Sequence, residues 1–427
     1  MNSTRSIHLR LSAVFCLGIL LAAPSTAQTD RHVDASQGSD SGNNCTNSAA
    51  PCATVGHALG QSAAGDRILA AAGIYTESLL IDRNIEIVGE ASDTTIIQAA
   101  ATPNTASQRV ITVQSQRNLA LRHLTIRHGY ANATLTPNSL GGGIYLEGGD
   151  LELEYVVLTG NRSNSDGGAI YNAAGSVDMR HADLDANLAK RLGGARNRGG
   201  AIYNSSGATL TALNSRLRGN DAAQGGAIYS DGAVVKNLTN VALSGNFALE
   251  FGGAMMYGSG QQVMTNLVFS GNRTDGLGGG IYALGSSTKQ LIRNSVFWNN
   301  QDQSGVGTRT ASLVADALNR PTSFNSLVQG CGASGSGWDN RCGTDGGNNL
   351  PAQNPNFIDP VNPASAPTSQ GYFRQNTGSP LIDQGNNSYI TGVTTDLDGL
   401  ARIIDGVVDL GPYEFGNDVL FRDRFEQ

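Results

Sequence analysis

Charge is scarce in this sequence. Only 15% of its 427 residues are Asp, Glu, Lys or Arg, and the acids outnumber the bases by 35 to 28. A chain that stays disordered carries more charge and fewer Val, Ile and Leu. The net charge of −7 argues against a general nucleic-acid binder, which presents a basic face. Beyond the N-terminal segment, no apolar run approaches the roughly 18 residues of a membrane-spanning helix. No 10-residue helical pattern is present in the repeating part of the chain either. What the sequence has in excess is glycine, 55 residues. Glycine between short apolar runs points to many turns joining many short strands.

The N-terminus reads as a targeting segment. Arg5 and Arg10 precede an apolar run over residues 11–23, followed by Pro24-Ser25-Thr26-Ala27. This is the pattern of a secretory signal peptide, residues 1–27. Phe15 precedes Cys16, where a lipid-anchor signal needs a small residue. Export permits disulfides. Four cysteines remain, which allow three pairings. The local ones, Cys45–Cys52 and Cys331–Cys342, are favoured because the two pairs lie at opposite ends of the chain.

A repeat dominates the middle. Gly-Gly pairs begin at Gly141, Gly167, Gly199, Gly225, Gly252 and Gly278, and most open the phrase GGAIY or GGGIY. Twenty or so residues later comes an apolar residue, two others, then Asn: Leu158/Asn161, Leu184/Asn187, Leu217/Asn220, Leu243/Asn246, Phe269/Asn272 and Phe297/Asn300. A unit near 26 residues is too short to fold alone, and residues 151–155 (LELEY) alternate as a half-buried strand does. Such units stack as coils of a parallel β-helix, one strand spacing of ~4.8 Å apart. About ten coils are expected between Arg67 and Gly330, which at that spacing makes a rod on the order of 50 Å. Ile144, Ile170, Ile202, Ile228 and Ile281, with Met255, are expected inside. The Asn series is expected to form a ladder, and the Gly pairs to supply positive φ at corners. Alternation sends Tyr145, Tyr171, Tyr203, Tyr229 and Tyr282 outward, either as cross-strand stacking that covers the sheet or as a platform for sugar rings. Residues 51–68 carry Cys52, Val55 and Leu59 at helical spacing, so a short helix is expected to cap the open end.

The GGAIY and Leu/Phe-x-x-Asn phrases resemble the repeats of the polymorphic outer-membrane protein family. That resemblance implies a parallel β-helix displayed outside the cell. The C-terminal series FIDP, GSPLIDQG, DLDGLAR and VDLGPYE resembles the choice-of-anchor Q domain of bacterial surface β-helix proteins. The scaffold is also similar to that of pectin-degrading enzymes, and GIYTES (residues 73–78) is similar to a pectin-esterase phrase. The paired-Asp and Gly-His-Gly phrases of polygalacturonases, and the Asp-bearing phrases of pectin esterases, are missing.

The expected fold is therefore all-β: a right-handed, pectin-lyase-like parallel β-helix over residues 67–350. A disulfide-braced capping region (28–66) precedes it, and an irregular C-terminal region (351–416) and a tail (417–427) follow. Three candidate sites stand out. Lys190, Arg191, Arg196 and Arg198 crowd a six-residue insertion, GGARNR, at a coil corner beside Tyr171, Tyr203 and Tyr229. Asp396 and Asp398 in DLDG, near Asp405 and Asp409, offer oxygen ligands of the kind calcium takes; no other cofactor is expected. His123 and His128 flank a strand with Arg122 and Arg127, and alternation sets them on opposite faces. The leading expectation is a secreted or surface-held bacterial protein, monomeric, that binds glycan or another surface without catalysis. A lyase or hydrolase of acidic polysaccharide is the second reading, marked by a basic and acidic cluster converging beside the insertion. A surface spacer is the third.

Overall fold

The computed structural model describes residues 28–189, 197–232, 234–285, 290–316 and 320–416. The segment read as a signal peptide, the insertion residues Lys190, Arg191 and Arg196, and the tail 417–427 lie outside the described residues.

The chain winds as a right-handed parallel β-helix of about eight turns. Fewer turns form than the ten expected because the early coils are longer. Leu79, Ile111 and Ile144 occupy one register position, at steps of 32 and 33 residues rather than 26. Sheets of nine, seventeen and eight strands form the walls.

Two apolar columns fill the interior. Ile144, Ile170, Ile202, Ile228, Met255 and Ile281 align coil upon coil. Leu158, Leu184, Leu217, Leu243, Phe269 and Phe297 do the same on another wall. All twelve are fully buried. Each is worth about 1.5–3 kcal/mol of burial, and a one-residue slip would turn the whole set to solvent. At the corner before the first column, the leading glycine of each pair has positive φ, from 59° at Gly141 to 76° at Gly278. A Cβ on Gly167 would lie 2.3 Å from the Ile170 carbonyl oxygen, so only glycine fits.

The Asn series forms a continuous ladder. The Nδ2 of Asn161 donates to Oδ1 of Asn187, and so on through Asn220, Asn246 and Asn272 to Asn300, at 2.9–3.1 Å. The same Oδ1 accepts the backbone N–H of the preceding Asn. Each Nδ2 also reaches a carbonyl one coil back, as Asn220 does to Leu184 at 3.0 Å. These side chains are buried, so their amides depend on bonds within the protein; at the start of the ladder Asn161 Oδ1 accepts the Gly129 N–H at 3.0 Å.

A second column runs six residues ahead of the ladder. His123, Tyr155, His181, Asn214, Asn240, Asn266, Asn294 and Asn325 all adopt positive φ, between 43° and 56°. They mark the bend between two walls of the seventeen-stranded sheet, where one strand turns without a loop. Asn tolerates that conformation better than most residues because its short polar side chain bonds locally.

The C-terminal region folds back over this bend. Phe357, Val361, Phe373, Leu381, Leu397, Leu410 and Tyr413 pack on Ala242, Val268, Val296 and Leu327, making a second core outside the solenoid. Where the region covers the bend, the column is Asn and buried: Asn240 donates to the Thr395 carbonyl at 2.8 Å and Asn294 to that of Asn386 at 3.1 Å. The buried ion pair Arg402–Glu414 (2.5 Å) ties the region internally.

Both ends of the rod are closed, which protects the open sheet edges. Helix α1 (Val55–Gln61) buries Val55, Ala58 and Leu59, and Thr54 caps it. Glu77 of the early coils accepts the N–H groups of Val55 and Gly56. At the far end an antiparallel hairpin, Gln301–Asp302 with Gly305–Val306, stops the eight-stranded sheet. Both expected disulfides are formed, Cys45–Cys52 and Cys331–Cys342.

Replacing Asn220 by Ala orphans the Leu184 carbonyl and the Asn187 N–H. About 1–3 kcal/mol is lost for each buried group left unpaired. Urea unfolding should show the midpoint falling accordingly. An unchanged midpoint would mean that the ladder is decorative.

Candidate functional site

The face of the nine-stranded sheet beside the insertion carries the densest chemistry. Its outward positions are Tyr145, Tyr171, Tyr203 and Tyr229, in register. The rings stack nearly parallel, with centroids 5.7, 4.8 and 5.5 Å apart. One ring per strand spacing leaves no room between them: each face lies against its neighbour. Tyr145, Tyr171 and Tyr229 are partly exposed, at ring edges and hydroxyls, while Tyr203 is buried. Sugar rings therefore cannot stack on the interior members, so of the two readings open to the sequence the row takes the cross-strand stack rather than the sugar platform. The row breaks at Met256, the register partner of both Tyr229 and Tyr282. Tyr282 pairs instead with Phe251, at 4.6 Å.

Arg198 lies across this row. It sits one residue before the in-phase Gly199, where the chain re-enters the register after the insertion. Its Nη2 donates to Oδ2 of Asp166 at 2.8 Å, and its backbone N–H to Oδ1 at 2.8 Å. Its guanidinium covers the rings of Tyr203 and Tyr229, 4.6 and 5.0 Å from the centroids. Asp231 stands on the other side, 3.7 Å from Nη1 and 3.2 Å from the Tyr203 hydroxyl. Burial presses the Arg198 pKa down, but the Asp166 carboxylate outweighs it and the net shift is upward. Burial likewise pushes the Tyr203 hydroxyl well above its ordinary value. The group holds its charge firmly: a fixed cation between two carboxylates, on a rigid aromatic floor. Arg109 covers Tyr145 similarly, at 4.8 Å. Of the four cations expected to act together, only Arg198 lies within the described residues, and it faces carboxylates rather than open solvent.

The DLDG acids lie elsewhere, within the C-terminal region where it meets Arg216 of the solenoid. Asp396 is fully buried. Arg374 Nη2 donates to both Asp396 Oδ2 and Asp398 Oδ2 at 2.9 Å, and Arg216 Nη2 to Asp398 Oδ1 at 2.6 Å. Asp396 Oδ1 accepts the N–H groups of Asp398 and Leu400. Burial works against ionisation of Asp398, but Arg216 and Arg374 hold it below the usual carboxylate range. The oxygen atoms that a calcium ion would use are thus engaged by guanidinium and backbone N–H groups, and DLDG serves here as a joint between the C-terminal region and the solenoid.

His123 and His128 do not share a site. His123 stacks on Tyr155, and Tyr155 on His181, at 5.1 and 4.6 Å. This stack occupies the bend column on the coils that precede its buried Asn members. Sequence reasoning missed it, although a signal was present: Tyr155 and His181 stand six residues before the ladder positions Asn161 and Asn187.

Residues 155–173 and 266–284 match the Chlamydia polymorphic membrane protein repeat. No curated protein matches the sequence. Among solved structures, pectate lyase Pel9A is 14% identical, with a TM-score of 0.53 over 91% of this chain and 97% of that one. A rhamnogalacturonan lyase is also 14% identical, with a TM-score of 0.49 over 82% and 97%. At this identity the likeness to Pel9A shows the fold alone. No helix among the described residues is long and apolar enough to cross a membrane.

Acidification tests the burial of His123 and His128. Burial, then Arg122, lowers His123 from its ordinary 6.5, and burial lowers His128. A depressed group of this kind stabilises the fold above its unfolded pKa, and that contribution is lost as pH falls through the folded value. Stability should therefore decline below about pH 6.5, and His123→Gln with His128→Gln should flatten the decline in thermal unfolding at pH 7 and 5. An identical slope in the double variant would refute the assignment. The chain is a right-handed parallel β-helix protein that carries repeats of the Chlamydia polymorphic membrane protein type.

Proposed function

We propose that this is an exported, surface-held β-helix protein that binds a glycan chain along its tyrosine row without chemical change. The observation that carries this reading is Arg198, fixed between Asp166 and Asp231 on the stacked rings of Tyr203 and Tyr229. Such a surface offers ring edges and phenol hydroxyls at coil-length intervals, with one half-exposed carboxylate and one cation among them. Hydroxyl-rich ligands are recognised by arrays of this kind through hydrogen bonds, with little loss of side-chain freedom because the rings are already immobile. The repeat match and the signal-like N-terminus support an extracellular location.

The converging cluster also favours a second reading, cleavage of an acidic polysaccharide. A base for β-elimination must give up its proton easily, however. Arg198 is shifted the other way by Asp166, which weighs against that role.

One experiment separates the two. Immobilised purified protein is exposed to a glycan array, and the bound glycans are recovered for chain-length analysis. Binding without shortening is expected. Tyr229→Phe, which keeps the stack and removes one hydroxyl, should weaken it several-fold, and Arg198→Ala about tenfold or more. Shortened or unsaturated products that vanish with Arg198→Ala would establish the enzyme reading instead. No saturable binding to any glycan would leave the row a purely structural seam.

A further inference from the structure

A separate feature lies at the far end of the rod. The loop closed by Cys331–Cys342 borders an open cleft of about 560 Å³, lined by Arg320, Trp338, Asn340, Thr344 and Asp345 among others. The volume falls within the range of small-molecule sites.

The cleft is rigid. Trp338 is half-buried, packs against the main core, and donates from Nε1 to the Gly343 carbonyl at 2.9 Å. Asp345 is the keystone of the loop: it accepts from Ser334 Oγ and Asn349 Nδ2, and from the N–H groups of Gly335 and Gly347. These donors outweigh burial and hold its carboxyl below the ordinary value. Its acceptor capacity is therefore engaged within the protein.

The groups left for a ligand have a definite chemistry. The exposed guanidinium of Arg320 forms no hydrogen bond or ion pair with the described residues. The side chains of Asn340 and Thr344 are exposed and also free. An immobile indole, a free guanidinium, an amide and a hydroxyl thus converge on one concavity. The indole face suits the C–H face of a pyranose ring. The guanidinium suits a carboxylate, which it can take in two parallel hydrogen bonds. The amide and hydroxyl suit ring hydroxyls.

We propose that this cleft binds an anionic sugar residue, a uronic acid or an equivalent carboxylate-bearing pyranose. The site is independent of the tyrosine row, and either can fail without the other.

The chain has two tryptophans, and the second, Trp298, packs against the C-terminal region's core. In a Trp298→Phe background, fluorescence therefore reports on Trp338. The intact protein is titrated with a galacturonate disaccharide, its neutral galactose counterpart, and sodium sulfate. A saturable change with the uronate is expected, with affinity about tenfold weaker for the neutral sugar, the loss that goes with one charge-assisted pair. Arg320→Gln, an exposed change that leaves the fold intact, should remove that difference. Tyr229→Phe should leave uronate binding unchanged. The proposal is overturned by no saturable change with the uronate, by equal binding of sulfate, or by uronate affinity that survives Arg320→Gln. Should Trp298→Phe fail to fold, equilibrium dialysis of the labelled disaccharide with wild-type and Arg320→Gln protein reads the same difference.

Discussion

Everything in this structure depends on side chains meeting their own kind one coil away. The Asn161–Asn300 ladder is the strictest case. Each amide bonds the amide of the next turn and, at the same time, a backbone group of a neighbouring coil, so the buried corner is satisfied only when the coils are in register. Coils differ by a residue or two in length only between paired positions: Ser176 follows Asn172 by four residues and Thr209 follows Asn204 by five, yet Asn172 faces Asn204 and Ser176 faces Thr209. The fold therefore admits insertions only where they re-enter in phase. The segment before Gly199 obeys that rule: six added residues, with Ile170 still opposite Ile202.

The same constraint shapes the outer face. Identical positions stacked at strand spacing bring rings against rings, which turns a tyrosine row into a line of edges and hydroxyls. At the bend column it selects His and Tyr where the coil is open, and Asn where the C-terminal region covers it. The covering region is attached by complementary means: an apolar layer on Val268, Val296 and Leu327, and arginine–carboxylate joints through Arg216, Arg374 and Asp398. Its DLDG turn resembles a cation loop in sequence, yet its partners are arginines distant in the chain.

Much of this was legible in advance. The Gly-Gly and Leu/Phe-x-x-Asn spacings fixed the period, the inward columns, the ladder and the positive-φ corners, because a solenoid writes one residue per role per turn. The local disulfides and the capping helix followed from short-range spacing. What escaped was long-range. Arg374 lies more than twenty residues from Asp396, and Arg216 far from Asp398, so the DLDG acids looked open. The apolar runs VAL, LVF and VFW, ending near Leu243, Phe269 and Trp298, marked strands buried on both faces, and they were the one sign of a second core. The tyrosine row was open to two readings, a cross-strand stack and a sugar platform, and the choice between them is a matter of ring rotation, which no sequence spacing records.

The central claim is that the Asn ladder clamps the coils as one body. Hydrogen exchange followed by NMR or mass spectrometry reads this directly at the N–H groups of Asn187, Asn220 and Asn246. Each donates to the next Asn's side-chain oxygen rather than to a strand carbonyl. The account predicts protection equal to that of the adjacent strand interiors and lost together with them, in one cooperative step. Exchange at these sites much faster than in the flanking strands would contradict it.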